Sequence, residues 1–84
     1  MELVGIVKDP HQRLADARQH GIEAVRASGK SGSARSGIGV FELIKAYYTI
    51  IPQIQANDTH YRKYDYGERL AFTSGVLEEL ELNL

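Results

Sequence analysis

The 84-residue chain contains no cysteine, which excludes disulfide bonds and thiolate metal sites. It has only three histidines, so a zinc site would need carboxylates among its ligands. It also lacks an excess of either charge, because it has ten Lys and Arg residues and eleven Asp and Glu residues. This balance argues against a strongly basic nucleic-acid-binding protein. We therefore expect no cofactor, no metal and no nucleic-acid partner.

Long apolar segments are also missing. No apolar run approaches the roughly 18 residues that a membrane-spanning helix needs. The first seven residues lack both the basic and the long apolar region of a secretory signal peptide. The sequence therefore predicts a cytoplasmic protein with no membrane partner. Leu, Ile, Val and Phe still supply 22 of the 84 residues, which is enough for a small hydrophobic core.

The first helix is predicted from its start signal. Asp9 is a favourable N-cap and Pro10 is favoured at the first helical position, so we expect a helix from there to about Ser28. The small residues Ala17, Gly21 and Ala24 would let a neighbouring helix approach closely. At 100° per residue, one narrow side of this helix collects five residues, namely Leu14, Ala17, Gly21, Ile22 and Val25.

A Gly/Ser-rich stretch at residues 28–37 predicts a flexible loop. The segments on its two sides are each too short to fold alone, so residues 1–84 are predicted to form a single small helical domain. After the loop, Ser36 is the expected N-cap of a second helix. Pro52 removes a backbone donor, so this helix should kink or end near Ile51.

The second helix carries the strongest pattern. Between Ile38 and Ile54 its polar side chains fall in one strip about 80° wide, and every other position is apolar or small. Such a helix needs neighbours on several sides. Because a chain this short has few elements to supply them, we expect a homodimer.

A third helix is predicted after possible caps at residues 57–59. Apolar residues at heptad-like spacing predict one buried seam, and a second face lies beside it. The predicted fold is thus a mainly α, small three-helix domain with a short extended N-terminal segment. An α+β alternative pairs residues 3–7 and 79–84 as strands, because 79–84 alternates with period two. The seam comprises Tyr66, Leu70, Thr73, Leu77, Leu80 and Leu84, and the second face comprises Tyr61, Phe72 and Val76.

All five tyrosines lie between residues 47 and 66, with Arg62 and Lys63 among them. Tyr and Arg are typical of protein interfaces, although tyrosines on helices also pack in cores. We therefore predict a non-catalytic adaptor, inhibitor or regulatory protein that binds itself or another protein. The predicted partner-binding residues are Tyr47, Tyr48, Tyr61, Arg62, Tyr64 and Tyr66.

A weaker anion-binding site is predicted at Lys30 and Arg35, beside the expected start of the second helix. The tripeptide beginning at Gly29 matches the end of a phosphate-binding loop. However, Ala24 occupies the position of the required first glycine, and a helix rather than a strand precedes it. Nucleotide hydrolysis through such a loop is therefore excluded.

Two alternative functions start from charged residues. Arg13 and His20 are separated by six residues, a spacing that resembles the motif of HEPN ribonucleases over eight residues, with Leu14 where the motif has a polar residue. The same positions fit an exposed ladder of charges along one helix face, which we favour.

Glu78 and Glu81 would share a face and could hold Mg²⁺. The alternatives are thus a small enzyme (an RNase-like toxin or a metal-dependent nucleotide hydrolase) or a nucleic-acid-binding regulator that uses residues 10–35.

Overall fold

A computed structural model describes residues 9–35 and 40–81, and this part of the chain forms three helices and no strand. They are α1 (Pro10–Ala27), α2 (Val40–Asn57) and α3 (Tyr66–Leu80), with short 3₁₀ turns at Ser33–Arg35 and Tyr61–Lys63. The predicted mainly α, three-helix fold is confirmed. The α+β alternative is wrong for residues 79 and 80, which belong to α3. The predicted extended N-terminal segment, the expected cap at Ser36 and residues 82–84 lie outside the described residues.

The helix starts follow from local capping. The Asp9 side chain accepts a hydrogen bond from the His11 N–H at 2.8 Å, as predicted for α1. In α3 the Asp65 side chain accepts from the Glu68 N–H at 2.8 Å, while the Glu68 carboxylate accepts from the Asp65 N–H at 3.1 Å. The earlier cap at Asp58 serves the 3₁₀ turn instead, so α3 begins later than its first cap signal.

Helices α1 and α3 cross in backbone contact. A Cβ added at Gly21 would lie 2.1 Å from the Phe72 carbonyl oxygen, and one added at Gly75 would lie 2.1 Å from the Arg18 carbonyl oxygen. Each helix therefore needs a glycine where the backbone of the other touches it. Ala17, one turn before Gly21, is fully buried. The predicted close approach along this small-residue side of α1 is confirmed.

The glycine contact determines which face of α3 enters the core. Gly75 faces α1, so its neighbours Phe72 and Val76 are turned inward and are fully buried. Tyr66 and Leu70 are turned outward and remain more than half exposed. The predicted heptad seam is therefore wrong at Tyr66 and Leu70, although its Leu80 is fully buried. Phe72 and Val76, from the predicted second face, are buried in place of Tyr66 and Leu70. The core cluster comprises Val25, Ala34, Ile54, Phe72, Val76 and Leu80.

A buried carboxylate joins the described part of the loop to α3. The Glu79 side chain accepts hydrogen bonds from Ser31 Oγ at 2.7 Å and from Arg26 Nε at 3.1 Å. Its backbone carbonyl accepts from the Gly32 N–H at 2.9 Å. The Ser31 hydrogen bond, followed by the Arg26 guanidinium, holds the pKa of Glu79 below its usual value. Residues 28–35, within the stretch predicted as a flexible loop, are thus bonded to the last turns of α1 and α3.

Pro52 does not end α2, which continues to Asn57. The prediction of an end near Ile51 is wrong because the residues after Pro52 pack on the core, with Ile54 buried. Pro52 has no N–H to donate to the backbone carbonyl one turn before it. Because Pro52 is exposed, that carbonyl lies on the solvent-facing side of the helix. None of the helices in the described residues is long and apolar enough to cross a membrane.

Gly21→Ala and Gly75→Ala should each lower the free energy of unfolding by about 1–3 kcal/mol, because the added methyl group forces two helix backbones apart. Gly67→Ala is the matched control, since a Cβ there meets only side-chain atoms at 3.6 and 3.8 Å. It should leave stability unchanged or raise it by up to about 1 kcal/mol through helix propensity. Urea unfolding followed by circular dichroism measures all three. Equal stability of Gly21→Ala and Gly67→Ala would contradict the close crossing.

Candidate protein-binding surface

Three of the tyrosines support the core. The rings of Tyr61 and Tyr64 are half-buried and lie 5.3 and 6.1 Å from the Phe72 ring, between centroids. Tyr47 is also half-buried against the core, and its hydroxyl donates to the Glu81 carboxylate. These contacts are internal, so packing within the chain accounts for these three side chains and no second protein is needed to explain them.

The other two tyrosines are exposed. Tyr66, at the first turn of α3, exposes 78% of its surface, and Tyr48 on α2 exposes 77%. On the same helix, Phe41 is 76% exposed and Ile44 is 44% exposed. Their spacing of three and four residues places these three side chains within about 60° of one another around the helix. We call Phe41, Ile44 and Tyr48 the α2 row.

The position of α2 against α3 explains why the first two side chains of this row are uncovered. Gln55 Nε2 donates to Thr73 Oγ1 at 3.0 Å, and Tyr47 bonds to Glu81. The two contacts are eight residues apart on each helix and run in opposite directions, so α2 and α3 pack antiparallel. Because α3 ends at Leu80, the turns of α2 before Tyr47 extend past its last helical turn. The described part of α3 therefore cannot cover Phe41 and Ile44, whereas Tyr48 lies level with its last turn.

A cleft of about 370 Å³ lies at the other end of α2. The Arg69 guanidinium sits over the Tyr61 ring, 5.0 Å from its centroid, and donates to the Arg62 carbonyl oxygen at 3.3 Å. Arg62 makes a 3.5 Å contact with the Ala56 carbonyl oxygen. The lining residues are Pro52, Gln55, Ala56, Tyr61, Arg62 and Arg69. The structure thus separates the predicted partner-binding residues into core tyrosines, the α2 row, this cleft and Tyr66.

The predicted anion site is only partly described. Lys30 is exposed and lines a cavity of about 300 Å³ that Asp58 also lines. Arg35 ends the first 3₁₀ turn, and residues 36–39, which would lead into α2, lie outside the described residues. An anion in this cavity would meet the Asp58 carboxylate. The site at Lys30 and Arg35 stays a prediction.

The residues with the ribonuclease-like spacing have structural partners. Arg13 bonds to the carboxylates of Asp65 and Glu68, each at 3.2 Å, and His20 Nδ1 is hydrogen-bonded to the Tyr64 hydroxyl. The expected ladder within α1 is therefore replaced, at these two residues, by contacts to α3 and to the segment before it. These contacts span 52 and 44 positions of sequence for Asp65 and Tyr64, so helical periodicity does not indicate them.

Sequence reasoning missed the ring cluster that this contact belongs to. The rings of His20 and His60 are stacked, with centroids 4.1 Å apart and planes 18° apart. Burial raises the pKa of Tyr64 to about 12, and the charges of Asp58, Glu68 and Asp16 add to the shift. Tyr64 therefore stays protonated and can donate its hydroxyl proton to His20. These carboxylates place negative charge around the cluster.

The carboxylates considered for Mg²⁺ also bind protein groups. Glu78 pairs with Arg18, and Glu81 accepts from Tyr47. Within residues 9–35 and 40–81, no group of three or more His, Asp and Glu side chains is arranged to hold a metal ion.

Comparison with known proteins yields no relative: no family model matches the chain, and neither a curated protein nor a solved structure matches it. The function therefore has to be inferred from the surface itself.

Tyr64 should make stability fall at alkaline pH. Its folded-state pKa is raised from 10.0 to about 12, so its contribution is complete below pH 10 and is lost as the pH rises towards 12. In Tyr64→Phe this part of the alkaline loss should be absent, whereas Tyr66→Phe should behave as the wild type. Urea unfolding between pH 8 and about 12 measures the effect. The same alkaline loss in Tyr64→Phe and wild type would show that the hydroxyl is not protected.

Proposed function

We propose that this chain is a small, non-catalytic adaptor or regulatory protein of the cytoplasm that forms a homodimer through the α2 row and binds a further protein. The observation that carries the proposal is the exposure of Phe41, Ile44 and Tyr48 side by side on one helix. Large apolar side chains grouped in this way mark protein contact surfaces, whereas single exposed ones need no explanation.

The size of the row suits a small interface. With about 200 Å² per aromatic ring, Phe41 and Tyr48 together expose about 300 Å² in each copy. Two copies would bury about 600 Å² from these four rings alone, and Ile44 and the flanking residues add to this area. The total approaches the roughly 1,000 Å² that a specific interface requires. Such an area supports a weak dimer better than an obligate one.

Charge pairing supports protein contact over the nucleic-acid alternative. Arg13, Arg18 and Arg26 line α1, the segment that a basic regulator would use, and each is bonded to a carboxylate. These carboxylates offset positive charge that a phosphate backbone would need on α1. Nucleic-acid binding depends on free cations that neutralise phosphates.

The ring cluster does not favour the ribonuclease alternative. Asp16, Asp58 and Glu68 place negative charge near Tyr64, and an anionic RNA substrate would be repelled there. Arg13, the cation of the ribonuclease-like pair, is bonded to two carboxylates. The cluster is better explained as packing between α1 and the segment that links α2 to α3.

Replacing the two rings of the row should abolish self-association. We expect the wild type to shift from one to two chain masses as its concentration rises through the micromolar range, because the row is buried between copies. Phe41→Ser combined with Tyr48→Ser should keep the mass of one chain throughout. Sedimentation equilibrium measures the masses, and far-ultraviolet circular dichroism checks that the helices persist.

Tyr66→Ser is the matched control, since Tyr66 is as exposed as Tyr48 but lies on another helix. This variant should dimerise like the wild type. A wild type that stays at one chain mass up to millimolar concentration would overturn the proposal. Loss of the dimer in Tyr66→Ser to the same degree as in the combined Phe41→Ser, Tyr48→Ser variant would place the interface elsewhere.

A further inference from the structure

The arginines of the cleft differ from the others in their bonding. The structure describes five arginine side chains, and Arg13, Arg18 and Arg26 each bond to a carboxylate. Arg62 and Arg69 contact only backbone carbonyl oxygens and, for Arg69, the Tyr61 ring. A guanidinium carries five N–H donors, so most of the donors of these two side chains remain available. In a chain with a net charge of −1, the described arginines without a carboxylate thus line one cleft.

The cleft also holds one of these groups in place. The Tyr61 ring lies under the Arg69 guanidinium, and Tyr61 is itself packed against Phe72 in the core. A guanidinium stacked on a fixed ring loses less freedom when it binds a ligand, and its planar fork matches a carboxylate. Pro52, Ala56 and Tyr61 give the cleft an apolar part of its lining, which we call its floor.

We propose that this cleft binds a carboxylate of an acidic protein segment in which apolar residues flank the acid. The two guanidiniums would bind the carboxylate, and the floor would take a neighbouring apolar side chain. The inference rests on the proposed function, because it names the class of protein that the dimer would bind. The α2 row spans residues 41–48 and the cleft begins at Pro52, one helical turn after Tyr48, so the two surfaces are neighbours on α2.

The probe is a blocked tetrapeptide of sequence Leu-Glu-Glu-Leu, compared with Leu-Gln-Gln-Leu and with inorganic phosphate. Each is titrated into the full chain while the Nε–H signals of Arg62 and Arg69 are followed by NMR. We expect the Glu peptide to shift both signals and to bind about tenfold more tightly than the Gln peptide, since charge-assisted hydrogen bonds are about twice as strong as neutral ones. Binding should weaken as salt is added.

Arg62→Gln and Arg69→Gln should each weaken the Glu peptide about tenfold, whereas Arg18→Gln, which changes an arginine outside the cleft, should leave its affinity unchanged. Equal affinity for the Glu and Gln peptides, or wild-type affinity in both cleft variants, would overturn the proposal. Phosphate binding as tight as that of the Glu peptide would show a simple anion site and would overturn the assignment to a protein segment.

The peptide titration and the sedimentation experiment on the wild type together separate the two proposals. Peptide binding by a wild type that never dimerises would refute the dimer and leave the cleft. If the chain dimerises but the peptide does not shift the Arg62 and Arg69 signals, only the proposed binding site in the cleft is refuted.

Discussion

The backbone contact between α1 and α3 at Gly21 and Gly75 fixes how each helix is rotated, and the remaining structure is built on that choice. With Gly75 against α1, Phe72 and Val76 enter the core and Glu79 faces the loop that follows α1. A rotation of either helix would move a side chain larger than glycine into the partner's backbone. Helices that touch so closely also gain dispersion contacts along their whole crossing. The two glycines therefore stabilise the fold although each lowers helix propensity.

Helix α2 depends on this pair and only partly satisfies its own apolar surface. Its C-terminal half packs on the α1–α3 core through Ile54, while the α2 row remains outside. The two ends of α2 thus differ in chemistry, since the row is apolar and the cleft at Arg62 and Arg69 is cationic. We propose on this basis that the row binds a second copy and that the cleft binds an acidic partner.

Local signals in the sequence predicted much of the fold but less of the surface. The cap at Asp9 and the small residues around Gly21 act within one helix turn, so α1 and its close contact could be predicted. The prediction for α3 fails at Tyr66 because a hydrophobic pattern counts Tyr66 and gives no weight to Gly75. In the structure, the backbone contact at Gly75 determines which face of α3 is buried. The helix after Pro52 persists through tertiary packing that a local rule does not include. The pairing of Arg62 with Arg69 in one cleft requires the turn between α2 and α3, which spacing alone does not define.

Hydrogen exchange of the backbone amides, recorded in dilute and in concentrated solution, tests this account most directly. It resolves the stability of each helix separately and reports burial of the α2 row in the same experiment. The account predicts that amides of α1 and α3 around the glycine crossing exchange slowest at both concentrations. Amides at residues 44–48 should exchange quickly when dilute and become protected when concentrated. Exchange near Gly21 as fast as in the row, or protection of the row that does not change with concentration, would contradict it.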